Sequence, residues 1–587
     1  MMKYTTCSDL PFDKIHIVDT EFFGEDGDHK IPVCLVVKEL LSGRVERYWM
    51  DKLHEMDRPP FDIGPSSLFV GYFTSAEFSV FLALGWDLPI NIFDCFAEFR
   101  CRTNGNALPF GYGQLGALAY FGINDVDQIN KDMMRSRILS GGPWSPHEQG
   151  LILNYCQSDV DGLAKLFTHM LNRWPLSPVE LEQATARGRY LVSVAQMEHL
   201  GIPIDVEMLN LMRDNWEEIK QALISKTDHA YGVFENGSFR RSLFEAYIEK
   251  NKLAWPRLNS GELKLDKDTF KQMATRYSEL SELYELRKTL AEMREIKLTV
   301  GADGRNRTLL SPFQSKTGRN QPSTTKFIFG LPAWVRSLIK PEAGTALAYL
   351  DFSSQEIAIA ACLSDDDALW QAYASGDPYM QFAIDAGLAP RGATKHSHKQ
   401  ERDACKVIML GVQYGMSAFG MAQGAGIHIL EAQELLQRHK DVYRKFWIWA
   451  EHNAAAGLAG MELHTVYGWR IRASAGAEAK ENTFLNWPMQ ANGAEMLRLA
   501  CIAVQEAGIK ICAPVHDAIL IEVPADGVDE YVKQAQKLMR KASTWVLGGG
   551  RECRVDADVV CWPDRYIDGR GAAMWAFIQS QLTPEAQ

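Results

Sequence analysis

The chain has 587 residues, 46% of them hydrophobic, several times what one core needs, and a length prior gives about three to five domains. Its formal charge of −12, from 74 acidic and 62 basic residues, excludes a surface that binds polyanions throughout but leaves room for a local basic groove. No stretch approaches the roughly 18 uninterrupted apolar residues of a membrane span, the N-terminus lacks a secretion-signal layout, and the 11 cysteines form no C-x2-C pair, so membrane, secreted, disulfide-framed and zinc readings give way to a protein of a reducing cytoplasm.

Apolar runs at 15–18, 33–40 and 68–73 read as strands, and 78–84 and 151–166 carry helical periodicity, so the first segment is layered α/β. Ile15-His16-Ile17-Val18-Asp19-Thr20-Glu21 ends in two carboxylates two apart, which share one face of a strand and could hold a divalent metal. A surface acid pair is the plainer explanation of that dipeptide spacing alone. Tyr155 and Asp159, four apart on a helix, add a group able to orient water and a further carboxylate, the layout of a two-metal phosphodiester hydrolase.

This segment, residues 13–171, resembles the DEDDy 3′→5′ exonuclease domain used in proofreading. Val70-Gly71 leads to Glu77, and Phe93-Asp94 follows at the interval seen in that family. The resemblance implies a ribonuclease H-like fold, metal ligands Asp19, Glu21, Glu77 and Asp159, and Tyr155 as the water-orienting group. Glu77 replaces the usual Asp and Phe73 stands where Asn is common, so the ligand geometry is expected to shift by a methylene.

Two prolines in Trp174-Pro175-Leu176-Ser177-Pro178 mark a boundary. From 206 to about 300 the pattern predicts long amphipathic helices with exposed bases, among them Arg240, Arg241, Lys271, Arg287, Lys288 and Arg294. A solvated face accounts for such charge as well as a polyanion does. A Gly-, Asn-, Gln- and Ser-bearing loop at 301–322 leads into a second α/β region. There 345–350 reads as a strand ending in Asp351, and 511–523 reads as two strands around a tight corner with Asp517 at its tip. Either acid alone could be a turn or cap residue. Between them Arg402, Lys406, Leu410 and Tyr414 recur every four residues, a stripe of two cations, an apolar group and a ring suited to a nucleotide.

Asp351-x4-Glu356, Arg402-x3-Lys406-x7-Tyr414-Gly415 and Val515-His516-Asp517 stand in the order and spacing of motifs A, B and C of family A DNA polymerases, similar to bacterial DNA polymerase I. Residues 197–205 look like the entry to a thumb. Thr317-Gly318-Arg319 and Arg336 look like primer-template contacts, and Asn486-x-Pro488-Met489-Gln490 looks like the palm helix beside the duplex. The resemblance implies a multidomain α/β protein: an exonuclease domain at 1–175 and a right-hand polymerase at 176–587, with thumb about 206–300, palm about 301–365 and 480–587, and fingers about 366–479. No separate 5′-nuclease domain is expected, an arrangement similar to phage replicative enzymes acting in the bacterial host cytoplasm.

By that resemblance Asp351 and Asp517 hold two Mg²⁺ ions, with Mn²⁺ as a substitute. Arg402 and Lys406 grip the triphosphate, Lys406 also serving as general acid. Leu410 and Tyr414 pack by the incoming nucleotide, Glu356 excludes a 2′-hydroxyl, and His516 touches the primer terminus. The implied partners are primer-template DNA, dNTPs and a replisome helicase or processivity factor. Leu410, Ala358, Asn482 and Ala518 depart from the family pattern, which leads to the hypothesis of altered nucleotide preference, such as copying of 2-aminoadenine DNA. The alternatives are a 3′→5′ exonuclease whose polymerase half only clamps nucleic acid, and reverse transcription or RNA synthesis, which Glu356 disfavours.

Overall fold

The computed structural model describes residues 3–123, 128–473 and 480–582. The expected fingers–palm border near 479 falls at residues 474–479, which lie outside the described residues, as do 583–587 of the expected palm. The described chain gathers into two compact units, one of residues 1–201, 309–321 and 345–559, the other of 202–308, 322–344 and 560–587.

In the first unit, strands β1 (Lys14–Phe23), β2 (Ile31–Glu39), β3 (Val45–Trp49), β4 (Ser67–Gly71) and β5 (Asn91–Asp94) form a sheet in the order β3-β2-β1-β4-β5. β1 runs antiparallel to β2 and parallel to β4, so the sheet is mixed, with the strand of Asp19 and Glu21 at its centre. The strand period of two sorts β1 cleanly. Ile15 and Ile17 pack with Ile152, Cys156 and Val160, whereas Val18 packs on the other face with Phe78, Phe81 and Ala195. Asp19 and Glu21 therefore continue the odd-numbered row toward the helix of Ile152.

Among the helices around this sheet are α1 (Ser75–Ala83), α2 (Cys95–Thr103), α3 (Pro146–Arg173) and α4 (Pro178–Leu200). The polar break at 174–178 contains a start signal. Ser177 and Glu180 form a capping box with Pro178 in the first turn, repeating Ser145, Glu148 and Pro146 at the head of α3. α4 approaches β5 so closely that a Cβ at Gly188 would stand 2.2 Å from the Ile92 carbonyl oxygen. The Arg187–Glu98 ion pair, both partners buried, ties α4 to α2 at 2.5 and 3.0 Å. Arg100 of α2 donates in turn to the carbonyls of Phe313 and Gln314 at 3.0 and 2.6 Å.

A second sheet in this unit holds β6 (Thr345–Phe352), β7 (Lys510–Val515), β8 (Ala518–Pro524) and β9 (Val555–Cys561) in the order β7-β8-β6-β9. β6 and β8 pair antiparallel, with Asp351 opposite Ala518. Helices α5 (Gln355–Leu363), α6 (Lys399–Gln413) and α7 (Glu481–Glu506) belong to the same unit, and α7 is buried along most of its length.

The second unit departs from the expected long helices. Its described helices between 206 and 295 are five short ones, Val206–Asp214, Trp216–Asp228, Arg241–Lys250, Lys267–Arg276 and Ser281–Glu295. Turns with positive φ at Gly232, Asn236, Gly237, Lys252 and Gly261 interrupt the helical periodicity. Val233, Phe244, Trp255, Phe270 and Leu283 close a small core. The expected exposed bases are partly engaged: Arg240 pairs with Glu235, Arg241 with Glu262 and Lys288 with Glu285. Arg287 is half-buried rather than exposed, its guanidinium 4.1 and 3.9 Å from the ring centres of Phe239 and Phe270.

Candidate active sites

Asp19 and Glu21 leave the centre of the first sheet on the face covered by α3, and α3 carries Tyr155 and Asp159 one helical turn apart. Glu77 enters from the first turn of α1, 4% exposed, with Oε2 lacking a hydrogen-bond partner among the described residues. Burial pushes the Glu21 carboxyl well above its ordinary value, reinforced by the charges of Asp19, Asp159 and Glu77. Glu77 is raised by burial and then by Asp19. The Tyr155 hydroxyl is raised by burial, then by Asp159, Glu21 and Asp19, and it shares a hydrogen bond with Asp159. The five residues singled out in the sequence thus share one electrostatic neighbourhood. Like charges packed this closely at neutral pH need cations, and an oxygen-rich donor set suits hard divalent ions.

Three neighbours complete this cluster. Asp94 caps α2 through the Ala97 amide and accepts from the Thr74 amide at 2.7 and 2.6 Å, which fixes the turn leading to Glu77; burial raises its carboxyl to about 6. Phe73, in the place where Asn was expected, has φ of 68° and its ring meets Phe96 edge-on at 5.1 Å. Cys156, one residue past Tyr155, went unassigned in the sequence. Its Sγ lies 3.3 Å from Asp19 Oδ2, and it shares with Asp19 and Glu21 a grouping compact enough for a metal ion.

The second cluster forms where β6 meets the β7–β8 corner. Val515 pairs with Ala518, so His516 and Asp517 alone make the turn, and His516 adopts φ of 58°. The Phe352 amide donates to the Asp517 carbonyl at 3.2 Å. Asp351 stands opposite Ala518, the residue after Asp517, and the two acids act on each other: Asp351 is raised to about 7 by burial first, then by the charge and hydrogen bond of Asp517, with smaller effects from Asp556 and Asp558. Those last two lie on β9, the strand beside β6, and Asp556 accepts from the Ser353 hydroxyl. The alternation Val555-Asp556-Ala557-Asp558 was the sequence signal that could have revealed them.

Glu356, in the first turn of α5, receives Arg319 Nη2 at 3.2 Å. Burial raises its carboxyl and Arg319 opposes the rise. The Tyr414 hydroxyl is raised by burial and then by Glu356, with Asp517 and Tyr379 also acting on it, so the three motifs converge. Tyr414 is 49% exposed at the end of α6. The helix stops there because Gly415 takes φ of 60°, where a Cβ would come within 2.9 Å of Asn482. On α6 Arg402 binds Asp377 at 2.5 Å, and Arg402 and Lys406 lie 5.4 and 5.8 Å from the Tyr379 ring centre. Asp377 and Tyr379 carried no sequence signal.

Asn486 and Gln490 are half-buried on α7 of this unit, the Asn486 Oδ1 lacking a hydrogen-bond partner. Arg336 belongs to the second unit, held by Asp568 at 2.9 Å and the Phe329 carbonyl at 2.8 Å. Of the four departures from the family pattern, Ala358 and Ala518 are fully buried, Leu410 is half-buried and Asn482 is exposed. Among the described residues no helix is long and apolar enough to cross a membrane, and all 11 cysteines are free.

Comparison with known proteins identifies the family. The family model described as DNA polymerase family A matches residues 208–559. The DNA polymerase I of Aquifex aeolicus (strain VF5) is 26% identical over 378 residues, 61% of this chain and 63% of that protein. The thermostable DNA polymerase I of Thermus caldophilus is 30% identical over 221 residues, 35% of this chain and 26% of that protein. The DNA polymerase of Mycobacterium phage D29 is 24% identical over 371 residues, 60% and 59% of the two chains. The chain thus spans less than two thirds of each of these relatives. A solved structure, the POL domain of Pol1 from M. smegmatis in complex with DNA primer-template and dNTP, superposes with a TM-score of 0.71 over 95% of this chain and 96% of that one; at 18% identity this concerns the fold alone.

Proposed function

Because the chain belongs to DNA polymerase family A, we propose that it extends a primer 3′ end on a DNA template from dNTPs and removes misplaced 3′ nucleotides with its first α/β segment. The observation that carries the synthetic half is the pairing that sets Asp351 opposite Ala518 and ties the Phe352 amide to the Asp517 carbonyl at 3.2 Å, with Glu356 and Arg319 bonded nearby and Tyr414 within their electrostatic reach. Bound there, two Mg²⁺ ions, or Mn²⁺, would lower the pKa of the primer hydroxyl and offset triphosphate charge. Asp351 and Asp517 would hold them, while Arg402 and Lys406 bind the β and γ phosphates, Lys406 delivering a proton to the leaving pyrophosphate. Arg402 would exchange Asp377 for phosphate, which keeps its charge partnered before the nucleotide arrives. Glu356, oriented by Arg319, would occupy the space of a ribose 2′-hydroxyl. His516 at the corner would meet the primer terminus, and Asn486, Gln490, Arg319 and Arg336 would line the primer-template.

For the hydrolytic half we read residues 1–175 as a ribonuclease H-like 3′→5′ exonuclease. Asp19, Glu21, Glu77 and Asp159 would hold the metals and Tyr155 would orient water. The buried, unpartnered Glu77 oxygen supports this, since a lone buried carboxylate oxygen is costly unless something positive meets it. The remaining region is read as thumb, palm and fingers in the order given above. Phage genome replication is the proposed setting, and primer-template DNA, dNTPs and a helicase or processivity factor are the proposed partners.

Extension and degradation of one labelled primer test both halves. Wild type extends with dNTPs and degrades without them, Asp351→Ala loses extension only, and Asp19→Ala loses degradation only. If Asp19→Ala still fails to extend, the reading as an exonuclease with a merely clamping second half replaces this one. Leu410 on the Tyr414 stripe and Asn482 against Gly415 support an altered nucleotide preference, tested by competition of dATP with 2-aminoadenine triphosphate; equal efficiencies remove that refinement.

A further inference from the structure

The second unit contains a cleft of 870 Å³ bounded by the helices Trp216–Asp228, Lys267–Arg276 and Ser281–Glu295 and by the turn at Gly237. Its volume lies in the range of sites that enclose most of a small ligand. Five Lys and Arg side chains line it against two Glu. Glu217 and Lys220 offset each other at 3.0 and 3.1 Å, Glu217 also accepting from Gln221 at 2.8 Å, and Lys288 pairs with Glu285.

Arg287 is among its lining residues. The guanidinium lies against both Phe239 and Phe270, whose rings meet edge to face, and Nη2 makes one long bond, 3.4 Å, to the Leu265 carbonyl. Nη1 is buried and has no hydrogen-bond partner among the described residues. Burial and the neighbouring charge of Arg294 lower Arg287 to about 10, so it remains a cation at neutral pH. A cation with a buried N–H left unpaired is costly, and a second like charge beside it adds to that cost. A cation packed against two rings beside a second arginine is arranged for an anion. The cleft also carries the rings of Tyr284 and Trp216.

We infer that this cleft binds a nucleoside phosphate, with the phosphate on Arg294 and the Arg287 guanidinium and the base against the aromatic wall. The rings of Trp216 and Tyr284 in its lining favour a nucleotide base over a peptide chain. The unit could be a free nucleotide or the end of a single strand, which share this chemistry. The site is separate from both acid clusters, whose residues all belong to the other unit.

The test is calorimetric titration of the full chain in EDTA, which withholds the divalent cations the acid clusters call for. The probes are dTMP, thymidine, inorganic phosphate, hexathymidylate and a hexaglutamate peptide. Saturable binding of dTMP at one site is expected, about tenfold tighter than thymidine or phosphate alone. Arg287→Met weakens it at least about tenfold, the loss of one charge-assisted hydrogen bond, and Arg294→Gln weakens it several-fold. Hexathymidylate binding with the same arginine dependence, when dTMP does not bind, also upholds the site and identifies the strand end as its source. If Arg287→Met melts the unit in circular dichroism, Arg294→Gln decides, because that side chain is exposed. Binding unchanged by Arg294→Gln together with Arg287→Met, no saturable binding of either nucleotide probe, phosphate binding as tightly as dTMP, or preferential Arg287-dependent binding of hexaglutamate overturns the inference.

Discussion

The two acid clusters of the first unit are built on sheets of similar logic and differ in their company. The Asp19 cluster holds Asp19, Glu21, Glu77 and Asp159 with a tyrosine and a buried thiol. The Asp351 cluster has Arg319 on Glu356 within it, and Arg402 and Lys406 on a ring, Tyr379, that also neighbours Glu356. Cutting a strand end needs water and metal-held carboxylates. Joining a triphosphate to a strand also needs cations that travel with the phosphates. The proposed division of labour follows from that contrast.

The largest expected effect breaks the contrast at its roots. Asp351→Ala should lower extension on the order of 10²–10³-fold or more, leaving degradation intact, with Asp19→Ala doing the reverse. A single substitution that silenced both activities would show that the clusters do not act separately. Next is Glu356→Ala, which removes the proposed gate and frees Arg319. Ribonucleotide incorporation relative to deoxynucleotide should rise about tenfold, ~1.4 kcal/mol, in single-nucleotide extension.

Protonation sharpens the comparison further. Asp351 moves from an ordinary 3.8 to about 7, so between those values the folded chain keeps a proton that the unfolded chain has released. Stability without divalent ions should therefore fall as pH rises from about 4 to about 7 through this group, and Asp351→Asn should flatten that part of the difference profile in thermal melts. The smallest effect belongs to the other cluster. At pH 8 in EDTA, Glu77→Gln should raise stability by about 1 kcal/mol, since the charged form has a buried oxygen without a partner, while degradation falls. A loss of stability instead would mean that Glu77 is already satisfied without metal.

Much of each cluster was legible because it rests on local periods. Asp19 and Glu21 share a face because strands repeat every two residues, and Tyr155 and Asp159 because helices return after four. The corner of His516 and Asp517 was visible in two apolar runs with a two-residue gap. Asp556, Asp377, Tyr379 and Cys156 stayed hidden. Nothing in their own neighbourhoods says which strand β9 joins, which ring lies under Arg402, or that a thiol reaches Asp19. The long helices expected at 206–300 failed for a related reason: summed periodicity was strong, but single positive-φ turns, cheap in sequence, break a helix completely.

By itself the order of residues determined the family-bearing motifs, the strand and helix periods and the acids placed at their ends, since those depend on neighbours a few positions away. Only the tertiary structure decided which distant acids neighbour one another, which bases are spent on ion pairs and which arginines keep an unmet donor among the described residues. Those outcomes depend on strand order and packing, where contacts between residues far apart in the chain set burial and charge together.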